Sequence, residues 1–161
     1  MHNQSFRPED SIEILVSTYE NKLYRTAIAL MKNKADAEEV VQESFIKLFA
    51  AQRAFHSLEH EEAWLMRVAI NLCKSRLRSS WWKKTVPLLD TYPAKSAQQS
   101  TLVEAVMALP SKYRMVIHLF YYEGYSTKEI AVISGQKEST VRSMLTRARQ
   151  KLKDILQEDE L

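Results

Sequence analysis

The chain has 161 residues, room for one ordinary domain or two small ones. Two glycines and four prolines against 45% hydrophobic residues favour helices over a turn-rich β fold. The formal charge of +3 is small, Cys73 is the only cysteine, and no stretch approaches the ~18 apolar residues of a membrane span. An intrachain disulfide and a cysteine zinc cluster are thereby excluded.

The distribution of charge says more than its sum. Residues 64–84 carry Arg67, Lys74, Arg76, Arg78, Lys83 and Lys84 with no acid among them. Residues 137–153 hold six bases against Glu138 alone, whereas residues 10–62 hold ten acids against six bases. Two basic blocks beside an acidic one imply a polyanionic partner and a separate protein contact. Met1 to Asp10 is polar and has no signal-peptide core, so the expected location is the cytoplasm.

In chain order, residues 11–32 read as a long amphipathic helix, with Ile12, Leu15, Tyr19, Leu23 and Ala27 at helical spacing. A second helix begins near Asp36 and carries Val41, Phe45 and Leu48 on one stripe. Residues 55–62 lack a sustained period and read as a loop. Glu61 or Glu62 then opens a third helix that runs to about Ser79. On that helix Arg67, Asn71, Lys74 and Arg78 fall at i, i+4, i+7 and i+11, one polar stripe opposite Leu65, Val68, Ala69 and Leu72. The cations suit phosphates, and the Asn71 amide can pair with a base edge.

A linker follows, marked by Pro87, Pro93 and the polar run from Lys95 to Ser100. Beyond it four short helices are expected, over 101–108, 111–122, 127–134 and 138–157. The parse is all-α: two small helical domains at 8–82 and 100–157, joined by a linker at 83–99.

The second domain has the layout of a DNA reader. Ser126-Thr127-Lys128-Glu129 fits a capping box, and Ser134-Gly135 supplies a stop. Helix, tight glycine turn, helix is a helix-turn-helix. In its second helix Val141, Leu145, Ala148 and Leu152 form one buried stripe. The other side carries Ser139, Arg142, Ser143, Thr146 and Arg149, with Thr140 and Arg147 at the edges. Arginine can bond a guanine edge bidentately, and hydroxyls serve phosphates or bases. A merely solvated basic face is the bland alternative.

Several strings resemble a known family. Leu109-Pro110-Ser111-Lys112-Tyr113-Arg114, Tyr121-Tyr122-Glu123-Gly124-Tyr125-Ser126, Glu129-Ile130-Ala131, Thr140-Val141-Arg142-Ser143 and Arg147-Ala148-Arg149 are similar to domain four of RNA polymerase sigma factors of the extracytoplasmic-function group. Asp36-Ala37-Glu38-Glu39-Val40-Val41-Gln42-Glu43-Ser44-Phe45 and Trp64-Leu65-Met66-Arg67-Val68-Ala69-Ile70-Asn71-Leu72 resemble its domain two. The resemblance covers about residues 11–80 and 100–155, in the family's order.

It implies a non-enzymatic promoter-recognition subunit without a cofactor or a small-molecule substrate. The partners implied are core RNA polymerase, through the β′ clamp helices and the β flap, promoter DNA, and an anti-sigma factor. The setting implied is a stress or envelope response. Glu39, Gln42 and Glu43 then belong to the clamp-docking face. Phe55 and His56 belong to a loop that captures an unstacked −10 base, beside Arg67, Asn71, Lys74 and Arg78. Ser139, Thr140, Arg142, Ser143, Thr146, Arg147 and Arg149 meet the −35 element. The chain departs from the family at Ser134 and Gln136, where apolar residues are usual, and at Lys137, where a capping serine is usual. The start of the recognition helix stays open on that account.

Other readings fit parts of the same sequence. A free-standing helix-turn-helix regulator would explain residues 109–153 but not the 36–45 string or the Arg67 stripe. His56-Ser57-Leu58-Glu59-His60 matches the H-x-x-E-H of a zinc hydrolase literally, but that chemistry would require a rigid helix and a third ligand downstream, and the stretch reads as a loop ahead of a helix start. Phe55 can equally be a core anchor. Cys73 is expected to be a small buried residue rather than a redox sensor. Trp81 and Trp82 are expected to pack the end of domain two or the linker, with partner binding as the alternative.

Overall fold

The computed structural model describes residues 12–79 and 97–159, and every regular element among them is helical. The linker residues 83–96, Trp81 and Trp82 lie outside the described residues.

Helix α1 (Ile12–Met31) buries Leu15, Tyr19, Leu23 and Ala27, the stripe its spacing requires. It ends where Lys32 turns to φ 55° while its N–H still reaches the Ile28 carbonyl at 3.0 Å. Helix α2 (Lys34–Ala51) opens at once, because the Asn33 Oδ1 accepts from the Asp36 N–H at 3.0 Å. Asp36 is therefore a first-turn acid and Asn33 is the cap. Helix α3 (Leu58–Ser79) begins earlier than its periodicity suggested. The Ser57 hydroxyl accepts from the His60 N–H at 3.1 Å and caps it, so the loop before α3 is shorter than the expected 55–62. Glu59 and Glu61 sit in the first turn of α3, and Arg76 and Arg78 in the last, matching the helix dipole at both ends. These three helices pack on one another through Leu15, Leu23, Val41, Phe45, Leu65 and Ala69.

The second unit starts with α4 (Ala97–Ala108), which begins inside the span read as linker. Helix α5 (Ser111–Ile117) widens into a π-helical turn, His118–Tyr122, so the expected single helix over 111–122 is of two kinds. The wide turn closes when the Glu123 N–H reaches the His118 carbonyl at 3.0 Å. Helices α6 (Thr127–Ser134) and α7 (Glu138–Asp159) complete the unit, with α7 lying across α4, α5 and α6.

The two units also pack together, α3 against α6 and α1 against α5, and their buried side chains form one continuous cluster. No described helix is long and apolar enough to cross a membrane.

Candidate nucleic-acid and polymerase interfaces

The helix-turn-helix is built as its residues demand. The Ser126 hydroxyl accepts from the Glu129 N–H at 3.1 Å, and the Glu129 carboxylate accepts from the Ser126 N–H at 3.0 Å. Both arms of the capping box are made. Gly135 ends α6 at φ 70°, a left-handed conformation that costs a residue with a Cβ about 1–2 kcal/mol. The Thr127 hydroxyl donates to Glu138 at 2.9 Å, tying the starts of α6 and α7 together. Gln136, where the family prefers an apolar residue, has its side-chain Oε1 buried with no hydrogen-bond partner.

Helix α7 begins at Glu138, which settles its face. Val141, Leu145 and Ala148 are buried, and Leu152 is half-buried. Ser139, Thr140, Arg142, Ser143, Thr146, Arg147 and Arg149 are all exposed. Arg142 lies 3.3 Å from Glu138, an exposed pair that holds it loosely. Arg149 is held more firmly: its Nε donates to the Tyr121 hydroxyl at 2.6 Å and its guanidinium lies over the Phe120 and Tyr121 rings.

On α3, Arg67, Asn71 and Arg78 are exposed on one side, and Lys74 is half-buried. Burial lowers the Lys74 ammonium from its ordinary value, and the Arg78 charge adds to the effect. Ahead of α3 the ring of Phe55 is only 3% exposed, at 5.2 Å from His60 and 5.7 Å from Trp64 between centroids. It is a core anchor in this structure, not an open stacking face. Arg53 lies over Phe55 and Trp64, and exposed His56 stacks on His60 at 5.2 Å with 12° between the rings. His56 precedes the helix that carries His60, so the imidazoles stack rather than converge as i, i+4 ligands. The His60 Nδ1 already accepts from the His56 N–H at 3.2 Å. Among the described residues no cluster of three or more His, Cys, Asp or Glu could hold a metal ion.

Glu39 and Gln42 are exposed on α2, and Glu43 is half-buried. Sequence reasoning missed the partner that Glu39 and Glu43 share. Arg76 of α3 donates to Glu43 at 2.9 Å and to Glu39 at 2.7 Å, and those bonds raise its pKa. The acidic face is thus partly answered from within the chain, by a residue whose only sequence signal was its place in a basic block. Cys73 is buried, and burial pushes its thiol up to about 12. It is a packed thiol.

Sequence reasoning also missed the polar seam between the two units. Arg114, in an otherwise apolar run, is buried, and its guanidinium donates to the Ala29 carbonyl at 2.6 Å, the Leu30 carbonyl at 2.9 Å and the Leu109 carbonyl. It therefore caps the C-terminal end of α1, where carbonyls lack helical partners and the dipole favours a cation. Arg25 grips Glu123 bidentately at 2.9 and 3.1 Å. His118 Nε2 lies 2.9 Å from Glu123 and 3.2 Å from the Thr26 hydroxyl. The Tyr125 hydroxyl donates to Glu62 at 2.7 Å. An arginine inside an apolar string is the one mark the sequence carried for this seam.

The two units coincide with two family models: Sigma-70 region 2 matches residues 15–83, and Sigma-70, region 4 matches residues 99–152. The chain is 30% identical over 147 residues to the ECF RNA polymerase sigma factor SigM of Mycobacterium tuberculosis, covering 88% of this chain and 75% of that one. It is 27% identical over 173 residues to the ECF RNA polymerase sigma factor SigW of Bacillus subtilis, covering 93% and 91%. Among solved structures it is similar to the sigma factor RpoE from Bartonella quintana, in complex with the anti-sigma factor NepR. The TM-score there is 0.74 at 25% identity, over 90% of this chain and 96% of that one. CnrH, in complex with the cytosolic domain of CnrY, matches with a TM-score of 0.67 at 25% identity, over 91% and 88%. A capped helix-turn-helix, a cationic helix in a separate unit and matches across both units converge: the chain belongs to the extracytoplasmic-function sigma factors, subunits that bind RNA polymerase and promoter DNA to direct transcription initiation.

Proposed function

We propose that the chain reads its promoter at two points, with each interface assigned as follows. Domain four, residues 100–157, sets α7 in the major groove of the −35 element and rests on the polymerase β flap. Ser139, Thr140, Arg142 and Ser143, nearest the helix start, meet base edges, while Thr146, Arg147 and Arg149 hold phosphate. Domain two, residues 8–82, engages the −10 element through Arg67, Asn71, Lys74 and Arg78 of α3. The loop of Phe55 and His56 traps an unstacked base: buried Phe55 supports the site from below, and exposed His56 offers the stacking face. Glu39, Gln42 and Glu43 dock on the β′ clamp helices, and residues 83–99 link the two domains.

The chain does no chemistry of its own in this reading. It works in the cytoplasm with core polymerase and is restrained by an anti-sigma factor until a stress or envelope signal arrives. The observation that carries the reading is the pairing, in one chain, of an exposed hydroxyl-and-guanidinium face on α7 with a second cationic stripe on α3. The deciding experiment is transcription by core polymerase supplied with this protein, followed by mapping of the start sites. Discrete new starts with −35 and −10 sequences in common are expected. Tight, specific binding of promoter fragments by the protein alone, unchanged by core, would point to a free-standing regulator instead.

A further inference from the structure

The segment joining α2 to α3 carries a cation whose donors the chain itself does not use. Helix α2 ends at Gln52, which takes φ 48° and ψ 38°, a left-handed conformation that residues with a Cβ seldom adopt. Arg53 follows that turn. Its guanidinium carbon lies 5.6 Å from the Phe55 ring centroid and 5.8 Å from that of Trp64, within cation–π range of both. The same aromatic cluster continues through His60, 5.2 Å from Phe55, to the exposed ring of His56.

Arg53 is exposed, and among the described residues it makes no hydrogen bond and no ion pair. In that it differs from Arg25, Arg76 and Arg114, whose guanidiniums are given to carboxylates or carbonyls of the chain. Contact with the two rings holds the cation in place and leaves its fork of N–H groups unused. A placed, unpartnered set of donors beside an open imidazole is suited to recognition.

We propose that Arg53 selects the unstacked −10 base, favouring one with two adjacent acceptors, guanine or cytosine, over adenine and thymine. The proposal rests on the loop reading under Proposed function, in which exposed His56 supplies the stacking face. A base that has left the duplex shows both its Watson–Crick and its Hoogsteen edges. A guanidinium only donates, and its fork matches two acceptors side by side. Guanine offers O6 and N7, and unpaired cytosine offers N3 and O2. In adenine an amino group stands beside N1 and N7, and in thymine the N3–H separates the two carbonyls. Against those bases one N–H of Arg53 faces another donor or nothing, and a donor left unpaired costs binding. Stacking is sequence-tolerant, because every base has a π-face. His56 therefore holds the base, and Arg53 chooses it.

The probe is a DNA fork with a duplex upstream part and a single-stranded −10 segment, both randomised. Forks are selected with holoenzyme, core polymerase plus the full chain. The winning fork is then remade with each of the four bases at every −10 position. At one position guanine or cytosine should bind about 10-fold better than adenine or thymine. Arg53→Lys keeps a cation over the rings but cannot form the parallel pair, so most of that preference should disappear at that position alone. His56→Ala should instead weaken all four bases alike there. Circular dichroism checks the fold of each variant. If Arg53→Lys is not folded, Arg53→Met, which keeps an apolar stem over the rings, should lose the preference as well. A preference that survives in the folded variant overturns the proposal, and so does a loss that falls equally on all four bases. Adenine or thymine favoured at every −10 position overturns it too. Holoenzyme that enriches no sequence in the single-stranded segment, whatever it selects upstream, overturns the −10 reading itself and the choice of base with it.

Discussion

Glu123 shows how far a residue's behaviour departs from its type. Its side chain is 2% exposed, which by itself raises a carboxyl pKa, but the hydrogen bonds from His118 and Arg25, with their charges, outweigh burial and hold it at about 2. A folded-state pKa below the ordinary 4.5 contributes stability that is fully present above pH 4.5 and is lost as pH falls towards about 2. Glu123→Gln should therefore flatten the acid limb of stability across that window, as measured by urea midpoints at stepped pH. A limb of unchanged slope would show that other carboxylates control it. Gln136 is the opposite case, a polar atom with no partner. Replacing it with Met keeps the length and removes the unpartnered oxygen, so the variant should be about 1 kcal/mol more stable. An unchanged or lower urea midpoint would mean that the amide is answered by water.

At the scale of the element, α7 divides along its length. Arg142 is near the helix start and only loosely held by Glu138, so it is free to turn to a base edge. Arg149 is clamped by the Tyr121 hydroxyl and by the rings of Phe120 and Tyr121, a fixed charge better suited to a backbone phosphate. Arg142→Ala should lose roughly 1–3 kcal/mol of discrimination at particular −35 bases. Arg149→Ala should weaken binding to all sequences alike and reduce the salt slope by about one unit. Binding of the core complex to a library of −35 elements at several salt concentrations separates the two effects. Base preferences that follow Arg149 and ignore Arg142 would reverse the assignment.

For the whole molecule, the acidic face of α2 is largely exposed, while of the two cationic helices α3 packs against α6 of the second unit and α7 packs within its own unit. Arg76 spans Glu39 and Glu43 and fixes their carboxylates on one side of α2. Replacing Gln42 with Ala and Glu43 with Lys should weaken core binding severalfold, mainly through slower docking, because surface charge steers encounter more than it adds affinity. The DNA preference of domain four should not change. A folded double variant with wild-type association and affinity for core would move the docking surface elsewhere.

The sequence by itself determined what local spacing can encode. It carried the two helical units, the stripes on α1, α3 and α7, the capping box at Ser126, the glycine stop at Gly135 and the strings that resemble sigma factors. Each of these depends on residues within a few positions of one another, where helix geometry fixes who meets whom. The start of α3 was misread because Ser57 caps it just outside the apolar period. Only the tertiary structure decided that Phe55 is buried, that Arg76 answers Glu39 and Glu43, and that Arg114 reaches across to the end of α1. Those contacts join residues more than 30 positions apart, except for Phe55, whose neighbours are close in sequence but whose burial depends on the packed unit. No periodicity records a pairing at that range, since it exists only once the helices have packed.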